Sequence, residues 1–191
     1  MKKRGNIIVI VAPSGTGKST LIAKIRSKFP HLKWSVSCTT RAKRADEEHG
    51  KNYYFISQED FLEKKSAGAF VEWAKVHSNY YGTLKSVVEE ELNQGHILLF
   101  DLDVQGADSI KKIYHESAIV IFIEPPSVEV LKERLMNRKT EAESVILERL
   151  TNAEKELLRK HDYDFLIRND DLNVAYQKLE KIIENMMKGL E

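Results

Sequence analysis

Ile7-Ile-Val-Ile-Val11 runs directly into Ala12-Pro-Ser-Gly-Thr-Gly-Lys-Ser19, and between Ser19 and Lys28 the apolar residues Leu21 and Ile25 recur at helical spacing. A strand-length apolar run, a glycine-bearing loop and a helix start, in that order, form the context in which the P-loop pattern has physical meaning. Gly15 and Gly17 permit backbone conformations that turn successive N–H groups toward phosphate oxygens, and the helix N-terminus adds partial positive charge. Pro13, Ser14, Thr16 and Thr20 complete the loop and its first helical turn. Lys18 is expected to reach the β and γ phosphates of a nucleoside triphosphate. Ser19 is expected to place its hydroxyl on Mg²⁺, a hard ion that takes oxygen ligands. Ala12 stands where the strict pattern has glycine, a change that a negative φ accommodates.

Outward from this stretch, short apolar runs alternate with helix-period segments, the pattern of strands feeding crossover helices onto a mostly parallel sheet. The fold class is α/β. Strands are expected at Ile7 to Val11, Ile97 to Phe100, Ala118 to Ile123 and, more weakly, Phe165 to Ile167. Helices are expected from Ser19 to Lys28, from Val128 to Arg138 after the Pro125-Pro-Ser127 stop-and-cap signal, and from the Thr140/Glu143 capping box onward. A last helix spaces Leu172, Ala175, Leu179, Ile182 and Met186 as one apolar stripe. Residues 35–83 differ: they hold most of the aromatics, and Phe70 to Val76 reads as an antiparallel strand, so an inserted lobe is expected there. Gly68 and Gly95 stand where C′ glycines would end helices starting near Gln58 and Leu84.

The chain has 191 residues, 42% apolar and 31% charged, a composition that supports one globular domain. Thirty basic against twenty-nine acidic residues leave a formal charge of +1, so no chain-wide field is available to hold a nucleic acid polymer. Six scattered histidines and one cysteine form no metal-ligand pattern, and a lone Cys38 suits a reducing compartment. Cys38 itself reads as a packing residue. Lys2, Lys3 and Arg4 precede an apolar run that meets Pro13 too soon for a signal peptide, and no stretch approaches the roughly 20 apolar residues of a membrane span.

Ser37-Cys-Thr-Thr-Arg-Ala-Lys-Arg44 brings Arg41 and Arg44 into one short segment. Two guanidinium forks can bind one phosphate dianion bidentately, with Tyr53 and Tyr81 as phenolic donors. A basic surface loop backed by buried aromatics is the alternative. Asp101 and Asp103 follow an apolar strand, at the carboxyl end where open α/β sheets place ligands. Carboxylates beside polyphosphates repel them without a cation, which points to Mg²⁺; plain strand-end capping is the alternative.

The P-loop, the arginine segment, Glu72-Trp-Ala, Asn79-Tyr-Tyr-Gly-Thr83, Asp101-Leu-Asp-Val-Gln-Gly106 and Asn169-Asp-Asp-Leu172 occur in this order, and together they resemble the guanylate kinase family from about Ile7 to Ile183. The resemblance implies a cytoplasmic ATP:GMP phosphotransferase, with ATP and GMP or dGMP as substrates and Mg²⁺ as cofactor, whose state of assembly stays open to a homo-oligomer. It implies a core at about 5–34, 84–133 and 161–191, a GMP-binding lobe at about 35–83 and a lid at about 134–160. Positions matching Ser37, Glu72 and Thr83 hold guanine, and those matching Arg41, Arg44, Tyr53 and Tyr81 hold the GMP phosphate. Asp101 falls near the GMP and Asp103 near the metal, through water. ATP is implied to lie against the loop from Ala12 to Thr20, with Arg134, Arg138 and Asn169 beside it. Lys18, Arg41, Arg138 and Arg149 are implied in catalysis.

The residue chemistry agrees with the base assignment. A carboxylate offers two acceptor oxygens and guanine two adjacent donors, N1–H and the 2-amino group, so Glu72 can pair with both. Adenine presents an acceptor there instead, and a strand-edge surface charge is the plain alternative for Glu72. Arg134 and Arg138, four apart, share a helix side, where Arg134 could also be an ordinary i, i+4 partner. Lys43, Asp46 and Lys139 depart from the family's proline and two glycines. The guanylate kinase-like interaction modules, which bind peptides without turnover, are the rival class; the lysine and arginines just named favour catalysis.

Overall fold

The computed structural model describes residues 3–76, 78–136 and 143–188. In chain order these form β1 (Ile7–Val11), α1 (Lys18–Lys28), β2 (Lys33–Trp34), β3 (Cys38–Thr39), β4 (Tyr54–Phe55), α2 (Gln58–Ser66), β5 (Phe70–Val76) and β6 (Asn79–Leu84). Then come α3 (Lys85–Asn93), β7 (Leu98–Leu102), α4 (Val104–Tyr114), β8 (Ala118–Glu124), α5 (Val128–Met136), α6 (Glu143–Leu158), β9 (Phe165–Arg168) and α7 (Leu172–Lys188).

The strands build two sheets. A five-stranded sheet has the order β2-β7-β1-β8-β9 and every pairing in it is parallel. Its central strand β1 is apolar throughout because both faces are covered, and Ile7 to Val11 are all fully buried. Alternation along the strands divides the core into two layers. Ile8 and Ile10 pack with Leu21 and Ile25 of α1 and Leu179 and Ile183 of α7. Ile7, Val9 and Val11 face the other way, onto Leu92 of α3 and Ala107 and Ile110 of α4. Each such buried aliphatic side chain contributes roughly 1.5–3 kcal/mol. The final helix turns its apolar stripe inward as the spacing predicts, with Ile183 rather than Ile182 at its deepest point, since i+4 from Leu179 continues the stripe.

The second sheet, of order β4-β3-β6-β5, lies within the aromatic-rich segment and is mixed: β3 pairs parallel to β4, whereas β6 runs antiparallel to both β3 and β5. Phe61 of α2 stacks against Phe70 and Tyr80 to cover one face. Gly68 and Gly95, with φ of 66° and 82°, follow the ends of α2 and α3 in the left-handed conformation that a C′ residue requires. Ser57 caps α2 through its side chain, and Ser127 caps α5.

The expected strand from Ile97 to Phe100 begins one residue later and runs on to Leu102, because Asp101 and Leu102 still pair with Ile10 and Val11 of β1. Asp101 therefore belongs to the strand, and does not lie past it. Thr140, Arg138 and Lys139 lie outside the described residues. Among the described residues no helix is long and apolar enough to cross a membrane.

Candidate active site

The loop between β1 and α1 is held from outside by its own carbonyl. The Thr16 oxygen accepts hydrogen bonds from Asn169 Nδ2 at 2.7 Å and from Arg134 Nη1 at 3.3 Å. In the same planar peptide the Gly17 N–H points the opposite way, away from Asn169. Gly17 has φ of 97° and precedes the first turn of α1, and a Cβ added there would lie 2.8 Å from Asn169 Nδ2. Glycine is thus required twice over, by conformation and by contact. Arg134 is half-buried, whereas Asn169 is buried and its backbone N–H is tied to the Glu124 carbonyl at 2.9 Å.

The loop lines a cavity of about 400 Å³ together with Ser19, Thr20, Asp101, Asp103 and Glu156. Lys18 Nζ lies 2.6 Å from Asp101 Oδ1 and 3.0 Å from the Leu102 carbonyl oxygen. Asp103 caps α4, accepting from the Gly106 N–H at 2.8 Å through Oδ1. The capping alternative and the ligand-binding reading are thus compatible in one carboxylate. From α6, Arg149 Nη1 reaches Ser14 Oγ at 3.2 Å, and Glu156, two turns further along, lines the cavity beside Lys18. Burial pushes the Glu156 carboxyl up to about 6, with Lys18 pulling the other way.

A second, narrower cavity of about 90 Å³ adjoins the first, lined by Ser37, Asn52, Tyr53 and Asp101 among others. Asp101 lines both. Behind Ser37 runs a chain of short contacts: Ser37 Oγ is 3.0 Å from Thr83 Oγ1, and the Thr83 hydroxyl donates to Glu72 Oε1 at 2.6 Å. When Glu72 is ionised, Thr83 gives it its one proton, and Ser37 is then the donor to Thr83. Glu72 and Thr83 are cross-strand partners on β5 and β6. Although β5 is an edge strand, Glu72 is only 7% exposed, so it is no surface charge. Burial raises its carboxyl from the usual range to about 7, against the lowering effect of the Thr83 hydroxyl. Gly82 lies beside this pair, and a Cβ there would come within 3.0 Å of the Glu72 carbonyl oxygen and Trp73 Cβ.

At the mouth of this lobe Tyr53 and Tyr81 meet edge to face, their centroids 5.9 Å apart, and the Arg41 guanidinium lies 5.6 Å from the Tyr53 ring centroid. Arg41 is gripped by Glu47, a residue the sequence reading left aside. Arg44 contributes its backbone N–H to the same carboxylate, at 2.8 Å. Cys38 is buried in β3 and its thiol is pushed up to about 11 by that burial, consistent with packing and not reactivity.

The structure thus brings the residues from Ala12 to Thr20 together with Arg134, Arg149, Asn169, Asp101 and Asp103 on one side, and Ser37, Glu72 and Thr83, with Tyr53, Tyr81 and Arg41, on the other. Arg138 lies outside the described residues. Sequence reasoning misses Glu47 and Glu156; only Glu156 carries a spacing signal, seven residues and two helical turns after Arg149 on the same face, whereas Glu47 sits in a turn with no periodicity to mark it.

Comparison with known proteins supplies an independent finding. The guanylate kinase family model matches residues 4–186. The guanylate kinase of Thermotoga maritima is 42% identical over 182 residues, spanning 95% of this chain and 87% of that protein. That of Geobacter metallireducens is 44% identical over 183 residues, 96% of this chain and 90% of that protein. The crystal structure of guanylate kinase from Anaplasma phagocytophilum superposes with a TM-score of 0.73 at 32% identity, covering 97% of this chain and 87% of that one.

Proposed function

The chain belongs to the guanylate kinase family and performs the ATP-dependent phosphorylation of GMP, and from that premise we propose how its own residues divide the work. The five-stranded sheet with its loop from Ala12 to Thr20 receives ATP. The four-stranded sheet forms the GMP-binding lobe over residues 35–83, and the lid, at about 134–160, takes in the last residues of α5 and the whole of α6. The observation that carries this reading is the Ser37–Thr83–Glu72 chain, buried at Thr83 and Glu72 and joined through the half-buried Ser37 to a cavity that shares Asp101 with the phosphate cavity.

Thr83 occupies Glu72 Oε1 from one side, and the remaining lone pairs of the carboxylate accept from guanine N1–H and the 2-amino group. AMP would leave this buried carboxylate facing an acceptor, and sites built to bond absent groups discriminate by about 10⁴ to 10⁵. dGMP keeps the same base edge, so it shares the site. The GMP phosphate is received by Arg41, Arg44, Tyr53 and Tyr81. Its second pKa of roughly 6 makes it mainly dianionic at neutral pH, so its oxygen attacks the γ-phosphorus without a general base.

The obstacle is the approach of two anions, and the remedy is charge placed along the path. Lys18 gives up Asp101 and the Leu102 carbonyl for the β and γ phosphates. Arg149, now at Ser14, is already at the rim of the loop. Arg134 and Asn169 keep the loop in shape through Thr16. Arg138 completes the cationic set in the family pattern. For Mg²⁺ the donor set fits: Ser19 and Asp103 offer hard oxygens on one cavity, and the described residues gather no cluster of ligands that would hold an ion without phosphate and water. Ser19 and, through water, Asp103 would hold the ion, whose chemistry when bound would be to neutralise charge on the transferring phosphoryl group. A reducing, cytoplasmic setting accords with the single buried thiol.

A coupled ADP-release assay with ATP and, in turn, GMP, dGMP, AMP, CMP and UMP tests the reading. Turnover is expected with GMP and dGMP alone, and comparable turnover with AMP would overturn the assignment of Glu72.

A further inference from the structure

Arg41 is held by Glu47 through both carboxylate oxygens, Nη2 to Oε1 at 2.5 Å and Nη1 to Oε2 at 3.0 Å, while Nη1 also donates to the Ala42 carbonyl oxygen at 2.8 Å. A guanidinium has five N–H donors in a rigid plane. These contacts use both hydrogens of Nη1 and the hydrogen of Nη2 that faces Nη1. The two that remain, on Nε and Nη2, lie side by side along the opposite edge and form a second fork.

Glu47 is itself fixed. Its Oε2 accepts from the Arg44 N–H at 2.8 Å, its backbone N–H donates to the Arg44 carbonyl at 3.2 Å, and its own carbonyl accepts from Lys43 Nζ at 3.0 Å. Its side chain is only 11% exposed and that of Arg41 18%. Displacing Glu47 would unmake the turn from residue 41 to residue 47. A phosphate that approaches the opposite edge has no need to displace it, and Tyr81, which also hydrogen-bonds Arg41, is itself among the groups assigned to the phosphate.

We propose that Glu47 is a positioning residue for the phosphate acceptor: it fastens the outer edge of Arg41, stays fastened when a phosphate monoester binds, and so presents the Nε–Nη2 edge as a preformed fork. The proposal rests on the reading that Arg41 receives the GMP phosphate. It runs against simple charge counting, because Glu47 cancels the net charge of Arg41 and leaves Arg44 to supply the long-range attraction. What Glu47 contributes is orientation. A carboxylate that merely kept Arg41 occupied until substrate arrived would have the opposite effect on affinity, so the sign of the effect decides between the two. The Glu47 carboxyl is held down at about 2 by Arg41 and the Arg44 N–H, so the brace is ionised throughout the working pH range.

The test is calorimetric binding of GMP and of guanosine, which lacks the phosphate, with KM for ATP measured alongside, in Glu47→Gln, Arg41→Ala and the double variant. Glutamine keeps the shape but turns a donor toward Arg41. Loss of one charge-assisted contact predicts GMP binding weaker by roughly tenfold or more in Glu47→Gln. Guanosine binding and KM for ATP should stay unchanged, and the double variant should be no weaker than Arg41→Ala alone. GMP binding that is unchanged or tighter in Glu47→Gln, while Arg41→Ala weakens it, overturns the proposal and leaves the Arg41 reading standing. GMP binding indifferent to Arg41→Ala overturns both. If the glutamine variant fails to fold, Glu47→Asp, with the charge drawn back by one methylene, carries the same comparison: intermediate GMP loss supports the brace, and none overturns it.

Discussion

Lys18 Nζ lies 2.6 Å from Asp101 Oδ1, so the lysine of the phosphate loop rests against the very carboxylate that forms the wall between the two cavities. Both side chains are partly exposed, at 19% and 31%, so the pair contributes little to stability and is free to be exchanged for phosphate oxygens.

Lys18→Ala is therefore expected to lower kcat by a factor of roughly 100 or more while the fold persists. The check is a coupled assay beside circular dichroism melting. Wild-type turnover in a folded Lys18→Ala variant would show that the loop does not serve the transferring phosphate.

Glu72→Gln replaces one acceptor oxygen with a donor that faces the donors of guanine. KM for GMP is expected to rise by roughly 100-fold or more, with KM for ATP unaltered, because only the base edge is read there. Steady-state kinetics with each substrate varied in turn decides the matter, and parallel losses for both nucleotides would remove Glu72 from base recognition.

The same carboxyl makes a pH signature. Guanine pairs with the ionised form, so affinity for guanosine, which does not titrate in this range, should fall as pH drops through about 7, and the fall should be absent in Glu72→Gln. Stability runs the other way. Burial makes the folded chain hold this proton more tightly than the unfolded chain, so stability declines as pH rises from the ordinary carboxyl range through about 7. A pKa moved from 4.5 to about 7 corresponds to up to about 3 kcal/mol. Glu72→Gln should thus melt several degrees above wild type at pH 8 and show little gain at pH 4.

Gly17→Ala should weaken ATP binding, since φ of 97° is strained for alanine and the new methyl meets Asn169 Nδ2. The strain alone is worth about 1–3 kcal/mol. Adding Asn169→Ala should relieve the clash and recover only part of the affinity, because the backbone conformation remains. Full recovery in titrations of the double variant would mean that contact and not conformation imposes glycine.

Much of this was readable in the sequence because its signals are local. Ile7 to Val11 is apolar on both faces, Gly15 and Gly17 bracket a turn, and Ser127 stands before a helix; each follows from residue type and spacing. Asp101 misled because a carboxylate looks like the end of a strand, whereas the ladder with Ile10 and Val11 ignores side-chain polarity. Glu47 and Glu156 were missed for a different reason. Their roles arise from what a turn and a helix carry toward Arg41 and Lys18, and no window of composition reports an orientation. The burial of Glu72 on an edge strand was likewise a tertiary fact, imposed by packing on a residue type that propensity assigns to the surface.

Asp101 is fastened into a strand that has β1 on one side and β2 on the other, and it pairs directly with Ile10 of β1. The spacing between donor and acceptor chambers is consequently a ruler cut into the sheet, while the letter being read, the purine, is inspected on separate strands. Nucleobase preference in this scaffold can therefore drift by substitutions around residues 37, 72 and 83 without disturbing the gauge that sets how far a phosphoryl group must travel.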